Sequence, residues 1–146
     1  MELRPDRHSV PEAAWRISGL SLKRLTREGF PAEETMHRFA TRVEQVAGLH
    51  RPVFVAFNAG FDWMFVTEYV HRYLGRNPFG HAALDIQTFD MALSGISWQE
   101  TGLSKVARYC GRDMVLSHNA RQDALVQAEL FRCPLPKAQT RLPDLV

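Results

Sequence analysis

The sequence predicts an α/β layered domain, because segments with helical and strand patterns alternate along its 146 residues. The stretch 53–57, Val-Phe-Val-Ala-Phe, is a continuous apolar run typical of a strand buried on both faces in the middle of a sheet. On both sides of it, apolar residues recur with the 3.6-residue period of amphipathic helices. Two weaker strands are predicted at 1–5 and 84–86. This is fewer than the roughly four to six strands of a usual open sheet.

Capping residues predict where the helices begin and end. Ser21 suits the N-cap and Gly29 the C-terminal end of a short helix. Pro31 opens the clearest helix and Gly48 closes it. The remaining helices are predicted over 61–74, 88–93, 103–110 and 119–131. The chain is therefore predicted to form one domain over 1–133, followed by an irregular, proline-containing tail over 134–146.

Composition indicates a soluble globular protein, with 45% hydrophobic and 23% charged residues. The chain has no apolar run near the ~20 residues of a membrane helix, and its start lacks the apolar core of a signal peptide. The two cysteines, Cys110 and Cys133, do not suggest a disulfide framework, and we interpret them as reduced thiols in a cytoplasmic protein. The formal charge of +2 permits contact with a polyanion but does not argue for one.

A first cluster of candidate functional residues follows the central predicted strand. Asp62 comes just after the carboxyl end of that strand, where functional groups of α/β proteins concentrate. Phe61 and Phe65 are four residues apart, so we expect both to anchor the helix in the core and to leave Asp62 facing outward. The alternative is that Asp62 only caps the helix and interacts with its positive end.

A second cluster opens the last predicted helix. His118 precedes this helix, and Asp123 lies within its first two turns. The small side chains of Ala120 and Ala124 would let the helix approach a neighbour closely, and a carboxylate on such a packed face needs compensation of its charge. A divalent cation would supply it. In the alternative interpretation, Asp123 pairs with Arg121 or another base, and His118 is an ordinary loop histidine.

Taken together, the two clusters read Asn-x-x-Phe-Asp and, downstream, His-x-Ala-x-x-Asp-Ala. This order resembles the second and third motifs of the DEDD-type 3′–5′ exonucleases, in the histidine subclass, a superfamily that includes bacterial proofreading subunits and ribonuclease T. The resemblance extends to about Phe131 and implies a ribonuclease H-like fold, a mixed sheet flanked by helices. Flanking residues agree with it at 11–13, 17–20, Leu25, 29–31, Phe39, Asp85, Leu93 and 102–103.

The resemblance implies a chemistry and a role for each candidate residue. Asp62 and Asp123 would be ligands of Mg²⁺ or Mn²⁺ in a two-metal site that hydrolyses phosphodiester bonds at DNA or RNA 3′ ends. His118 would be the general base. Asn58 and Phe61 would contact the nucleic acid. Basic side chains that could meet phosphates, or could equally form a solvated face, are Lys105, Arg108, Arg112 and Arg121.

The family's first motif, Asp-x-Glu, does not occur before Asn58 in this sequence. We therefore expect the fold to be incomplete, with its first strands upstream of Met1. One explanation is a fragment, or a wrongly started reading frame, of an active nuclease. Another is a short protein whose bare strand edge pairs with a second copy or a partner strand. The third is a catalytically impaired remnant that keeps a nucleic-acid-binding or protein-interaction surface.

Overall fold

The structure is a computed structural model that describes residues 2–6, 18–111, 117–136 and 140. Predictions that concern 7–17, Arg112 and most of the tail lie outside these residues. The helices are α1 (Leu22–Glu28), α2 (Ala32–Ala47), α3 (Ala59–Leu74), α4 (Ile86–Ser94), α5 (Leu103–Tyr109) and α6 (Ala120–Arg132). The strands are β1 (Phe54–Ala56) and β2 (Ala83–Asp85), and a 3₁₀ turn spans Trp98–Glu100.

The predicted α/β class is confirmed, and the local capping signals act as expected. The Ser21 side chain accepts a hydrogen bond from the amide of Arg24, at 3.3 Å, and so caps α1. The amide of Gly29 donates to the carbonyl of Leu25 and ends that helix. Among the described helices, none combines the length and the apolarity that crossing a membrane requires.

Within the residues that the structure describes, the sheet consists of β1 and β2, which pair in parallel. The prediction that 53–57 is buried on both faces is wrong, since Val53 is 58% exposed and only Ala56 of β1 is buried. The reason is that β2 is the one strand that flanks β1 within the described residues, so β1 is less covered than a central strand. Of the strand predicted at 1–5, the described part, 2–5, forms one isolated parallel bridge, between Leu3 and Phe30.

The 3.6-residue period predicts one buried face on α2, and the structure buries only part of it. The residues of this face are Met36, Phe39, Ala40, Val43, Val46 and Ala47. Ala40 is buried, but Val46 is 70% exposed. Leu49, just beyond the helix, is fully exposed. Burial of this face is therefore greatest at Ala40 and does not extend to Val46. The other predicted face residues are half-buried: Met36, Phe39, Val43 and Ala47.

The chain divides into two compact units, Met1–Phe54 with Trp63–Ala82, and Val55–Asp62 with Ala83–Val146. The first unit contains an aromatic cluster centred on Phe79, which is 8% exposed. Its ring centroid lies 5.5 Å from that of Phe54 and 6.5 Å from that of Trp63. Tilted and edge-on contacts of this kind are the favoured aromatic geometries.

A polar cluster in the first unit ties Asp6 to α3. The Asp6 carboxylate accepts hydrogen bonds from the hydroxyls of Tyr69 and Tyr73, both at 3.0 Å, and from Nη1 of Arg72 at 2.7 Å. Burial alone would raise the pKa of Asp6, but these bonds and the Arg72 charge outweigh it and lower that pKa. Burial, followed by the bond to Asp6, raises the pKa of Tyr69 to about 12.

The second unit has a core between α5 and α6, formed by Val106, Ala107 and Leu130 and called here the α5–α6 core. Half-buried apolar side chains that pack against it are Phe57, Leu103, Cys110 and Val126.

The prediction of reduced thiols is wrong, because Cys110 and Cys133 form a disulfide. The two cysteines follow the ends of α5 and α6, beside the α5–α6 core, and their Cα atoms are 5.9 Å apart. This separation is ordinary for a disulfide. The bond closes a loop over 23 positions of the sequence that includes the predicted His118 and Asp123.

Candidate functional site

The first candidate segment is the turn between β1 and α3. Asn58 has a φ of 57°, a left-handed conformation that asparagine adopts more readily than most residues. Its carbonyl accepts a hydrogen bond from the amide of Phe61 at 3.0 Å. Asp62 consequently lies in the first turn of α3, as the sequence predicted. There, the exposed amide groups of the helix favour a negative charge.

Side chains from two other elements hold this turn on either side of Asn58. The amide of Phe57 donates to Oε1 of Gln127, at 2.9 Å. The amide of Ala59 donates to Oδ2 of Asp85, at 2.7 Å. The second carboxylate oxygen of Asp85 caps α4 by accepting from the amide and hydroxyl of Thr88, both at 2.7 Å. The turn is thus fixed to both β2 and α6.

The orientation predicted for the start of α3 is wrong. Phe61 and Phe65 are 59% and 51% exposed and do not anchor the helix in the core. Asp62 is half-buried instead, and burial raises the pKa of its carboxyl despite an opposing backbone hydrogen bond. The side chain of Phe61 is exposed, and its predicted role in contacting nucleic acid stays a prediction.

The second candidate segment leads into α6. His118 is exposed and also has a φ of 57°. Asn119 caps α6 by accepting a hydrogen bond from the amide of Gln122, at 3.1 Å. Asp123 accepts from the amide and the hydroxyl of Ser117, at 2.9 and 3.1 Å. These two bonds fold the residues around His118 back onto the first turn of α6.

Asp123 is half-buried, but the packed face predicted beside it is not found. Ala120 and Ala124 are both exposed, so the expectation that they let α6 approach a neighbour closely is wrong. The cause is the rotation of α6, which presents Val126 and Leu130 to the α5–α6 core instead.

The face of α6 that carries Asp123 can be inferred from Gln127. Residues four apart lie on the same side of a helix, and Gln127 contacts the carboxyl end of β1. Asp123 therefore lies on the side of α6 that faces this sheet edge, the edge from which the Asp62 turn emerges.

The donor types fit a hard divalent cation. Asp62 and Asp123 offer carboxylate oxygens, the ligands that Mg²⁺ and Mn²⁺ prefer, and half-burial of Asp62 makes a nearby positive charge favourable. In the part of the chain that the structure describes, however, no three His, Cys, Asp or Glu side chains form a group that could hold a metal. The two aspartates would need water, substrate or further residues to complete a coordination shell.

Three residues that support this site were not assigned a role by sequence reasoning. The sequence did carry a signal for Asp85, because an aspartate three residues before Thr88, at the end of a strand, suits the N-cap of a helix. The sequence carried no such signal for Ser117 and Gln127, because their bonds to Asp123 and Phe57 depend on the tertiary fold.

No family model matches the chain. It is 40% identical over 131 residues to the 3′-5′ DNA exonuclease Cap18 of Escherichia coli. The aligned region covers 89% of this chain and 70% of that protein. It is 37% identical over 111 residues to ribonuclease T of Photobacterium profundum, and this alignment covers 70% of this chain and 48% of that protein. Ribonuclease T of Yersinia pseudotuberculosis is 41% identical over 88 residues, and this alignment covers 58% of this chain and 39% of that protein. The chain therefore spans less than half the length of these two ribonucleases.

An α/β fold with aspartates in the first turns of two helices, together with relatives that are named nucleases, defines the class as nuclease-like. The chain belongs to the DEDDh family of 3′–5′ exonucleases. The family resemblance predicted from the two motifs is thereby confirmed.

Proposed function

We propose that this protein hydrolyses phosphodiester bonds at the 3′ ends of DNA or RNA in a reaction that depends on Mg²⁺ or Mn²⁺. The observation that carries the proposal is the 40% identity over 131 residues to a 3′-5′ DNA exonuclease. The geometry of Asp62 and Asp123, each in the first turn of a helix, supports it.

The residues take roles that match their positions. Asp62 and Asp123 would hold the cations. His118 takes a proton from the attacking water, a role suited to imidazole at neutral pH. The water oxygen bonds to phosphorus, the bond to the preceding nucleotide's O3′ breaks, and that oxygen takes a proton from solvent. A nucleoside 5′-monophosphate leaves. When bound, the cations would activate the water and stabilise the leaving oxygen.

Residues around the two aspartates bind the nucleic acid, and the neighbouring sheet supports them. Asn58 and Phe61 contact the terminal nucleotide, and the exposed Phe61 ring can stack on a base. The two described strands belong to a ribonuclease H-like sheet, which a second copy or a partner strand completes.

The test is a digestion assay with the 146-residue chain on single-stranded DNA and RNA labelled at either end. We expect 3′ label to be released as mononucleotide with Mn²⁺ and not with EDTA.

His118→Ala should lower the rate about 100-fold or more, as loss of a general base does. Asp123→Asn keeps an acceptor for Ser117 and should abolish digestion. Glu33→Gln, an exposed carboxylate in the first turn of α2, is the matched control and should digest normally. Digestion that survives Asp123→Asn would contradict the proposal.

A second function has one observation in its favour. The described residues provide no group of three potential metal ligands, which suits a nucleic-acid-binding or protein-interaction module that has lost hydrolysis. Retained binding of a fluorescent oligonucleotide, without digestion at any Mn²⁺ concentration, would support this second function over the first.

A further inference from the structure

One hydrogen bond joins the two segments that carry the candidate ligands. The amide of Phe57 donates to Oε1 of Gln127 at 2.9 Å, across 70 positions of the sequence. Phe57 directly precedes Asn58, and Gln127 lies one helical turn after Asp123. The bond therefore connects the two motifs to each other.

The chemistry of Gln127 suits this place. Strand β1 ends at Ala56, so the amide of Phe57 lies beyond the pairing of the sheet. Phe57 is half-buried and packs against the α5–α6 core, and an amide that is partly removed from water needs a partner. The side-chain oxygen of Gln127 supplies the acceptor that the strand does not.

The bond restrains Asp62 and Asp123 through the turn and the helix that carry them. Asp123 and Gln127 share one face of α6, so fixing Gln127 fixes the rotation of the helix. On the other side of Asn58, Asp85 holds the amide of Ala59 at 2.7 Å. The turn that leads to Asp62 therefore cannot shift relative to α6 without breaking the bond to Gln127, or relative to β2 without breaking the bond to Asp85.

We propose that Gln127 is a positioning residue that keeps the Asp62 turn and the Asp123 helix in register, so that both carboxylates meet the same cations. The inference rests on the proposed function, in which these two aspartates are cation ligands.

The test uses substitutions that separate the acceptor from the bulk of the side chain. Gln127→Met keeps the length and volume but removes the acceptor, and Gln127→Glu keeps an acceptor oxygen. Gln45→Met makes the same replacement at an exposed position of α2 and is the matched control. Two readouts are needed. One is Mn²⁺ affinity by calorimetric titration, and the other is amide hydrogen exchange over 57–62 and 117–123 without metal.

Gln127→Met should weaken Mn²⁺ binding about tenfold, the lower end of what losing a partner behind a metal ligand does. It should also speed up exchange in both segments, because their shared connection is lost. Gln127→Glu should restore slow exchange, and Gln45→Met should change neither readout.

The outcomes distinguish this inference from the proposed function. If wild type binds Mn²⁺ and Gln127→Met binds it equally well, Gln127 does not position the ligands, even if the melting temperature falls. If wild type binds no Mn²⁺, the proposed function fails and exchange decides the inference. Faster exchange in both segments would then support coupling through Gln127, whereas a change confined to 57–62 would overturn it.

Discussion

Asn58 and His118 share a left-handed backbone with a φ of 57°, and within the described ranges they are the two non-glycine residues that do so. Each comes just before a helix that carries a candidate ligand in its first turn, Asp62 in α3 and Asp123 in α6. A left-handed conformation costs an ordinary residue roughly 1–2 kcal/mol, and such strain is concentrated at functional sites. The two motifs therefore use the same backbone device to start a helix.

This strain predicts the relative stability of two variants at His118. His118→Gly should have a free energy of unfolding about 1 kcal/mol higher than His118→Ala, because glycine accepts a positive φ without penalty. Urea unfolding measures the difference. Ala128→Gly, at an exposed interior position of α6, should show the opposite sign, with glycine less stable by about 1 kcal/mol. Equal stability of the two His118 variants would show that this backbone is not strained.

Asp62→Asn should stabilise the metal-free protein at neutral pH. The pKa of Asp62 is raised in the folded state, so its contribution is most favourable below about pH 4, the usual carboxyl pKa. That contribution is lost as the pH rises through the folded-state pKa. Urea unfolding of both proteins from pH 4 to pH 8, without metal, should give an advantage of Asp62→Asn that grows with pH. Glu33→Gln corrects for losing one surface charge, and an advantage that shrinks with pH would refute the prediction.

Asp6→Asn should lower stability by about 1 kcal/mol at neutral pH, because the carboxylate accepts from two phenols as well as from Arg72. The pKa of Asp6 is lowered on folding, so this contribution exists above about pH 4 and is lost as the pH falls through the folded-state pKa. Unfolding at pH 7 and in acid should show the difference disappear in acid. Glu34→Gln, which breaks an exposed pair with Arg38, should have a smaller effect.

The same cluster can be observed through Tyr69, whose pKa is raised to about 12. Burial contributes most to this shift and is followed by the hydrogen bond to Asp6, so Asp6→Asn should move the pKa part of the way back towards 10. The neutral phenol stabilises the fold below about pH 10, and this contribution is lost as the pH rises through about 12. Absorbance titration of the tyrosinate, with Tyr69→Phe as the reference, measures it. No change in the Asp6→Asn protein would show that the two groups do not interact.

Reduction of the disulfide should destabilise the second unit. A cross-link that closes a loop over 23 positions contributes roughly 3 kcal/mol by restricting the unfolded chain. Unfolding with and without dithiothreitol measures the loss, and Cys110→Ser should reproduce it. Because Cys110→Ser lacks the bond, added dithiothreitol should not destabilise it further. Free thiols in the oxidised native protein would contradict the pairing.

The sequence predicted best what depends on local chemistry. Ser21, Gly29 and Gly48 marked helix ends because capping involves residues within one turn. The same is true of Asn119, close to the predicted start of α6. The aspartates Asp62 and Asp123 were placed near the first turns of their helices for this reason.

The failures concern tertiary packing. The four-residue spacing of Phe61 and Phe65 predicted a shared face but could not say whether that face meets the core. The pairing of Cys110 with Cys133 depends on how α5 and α6 pack, which sequence separation does not reveal. Gln127 was overlooked for the same reason, since its partner lies 70 positions away.

The covalent loop from Cys110 to Cys133 has a practical consequence for anyone who handles the protein. A protease that cuts the chain once between these cysteines would generate two pieces that remain joined through sulfur. They would run as one intact species on a denaturing gel until a reducing agent is added, and only then would the two pieces separate.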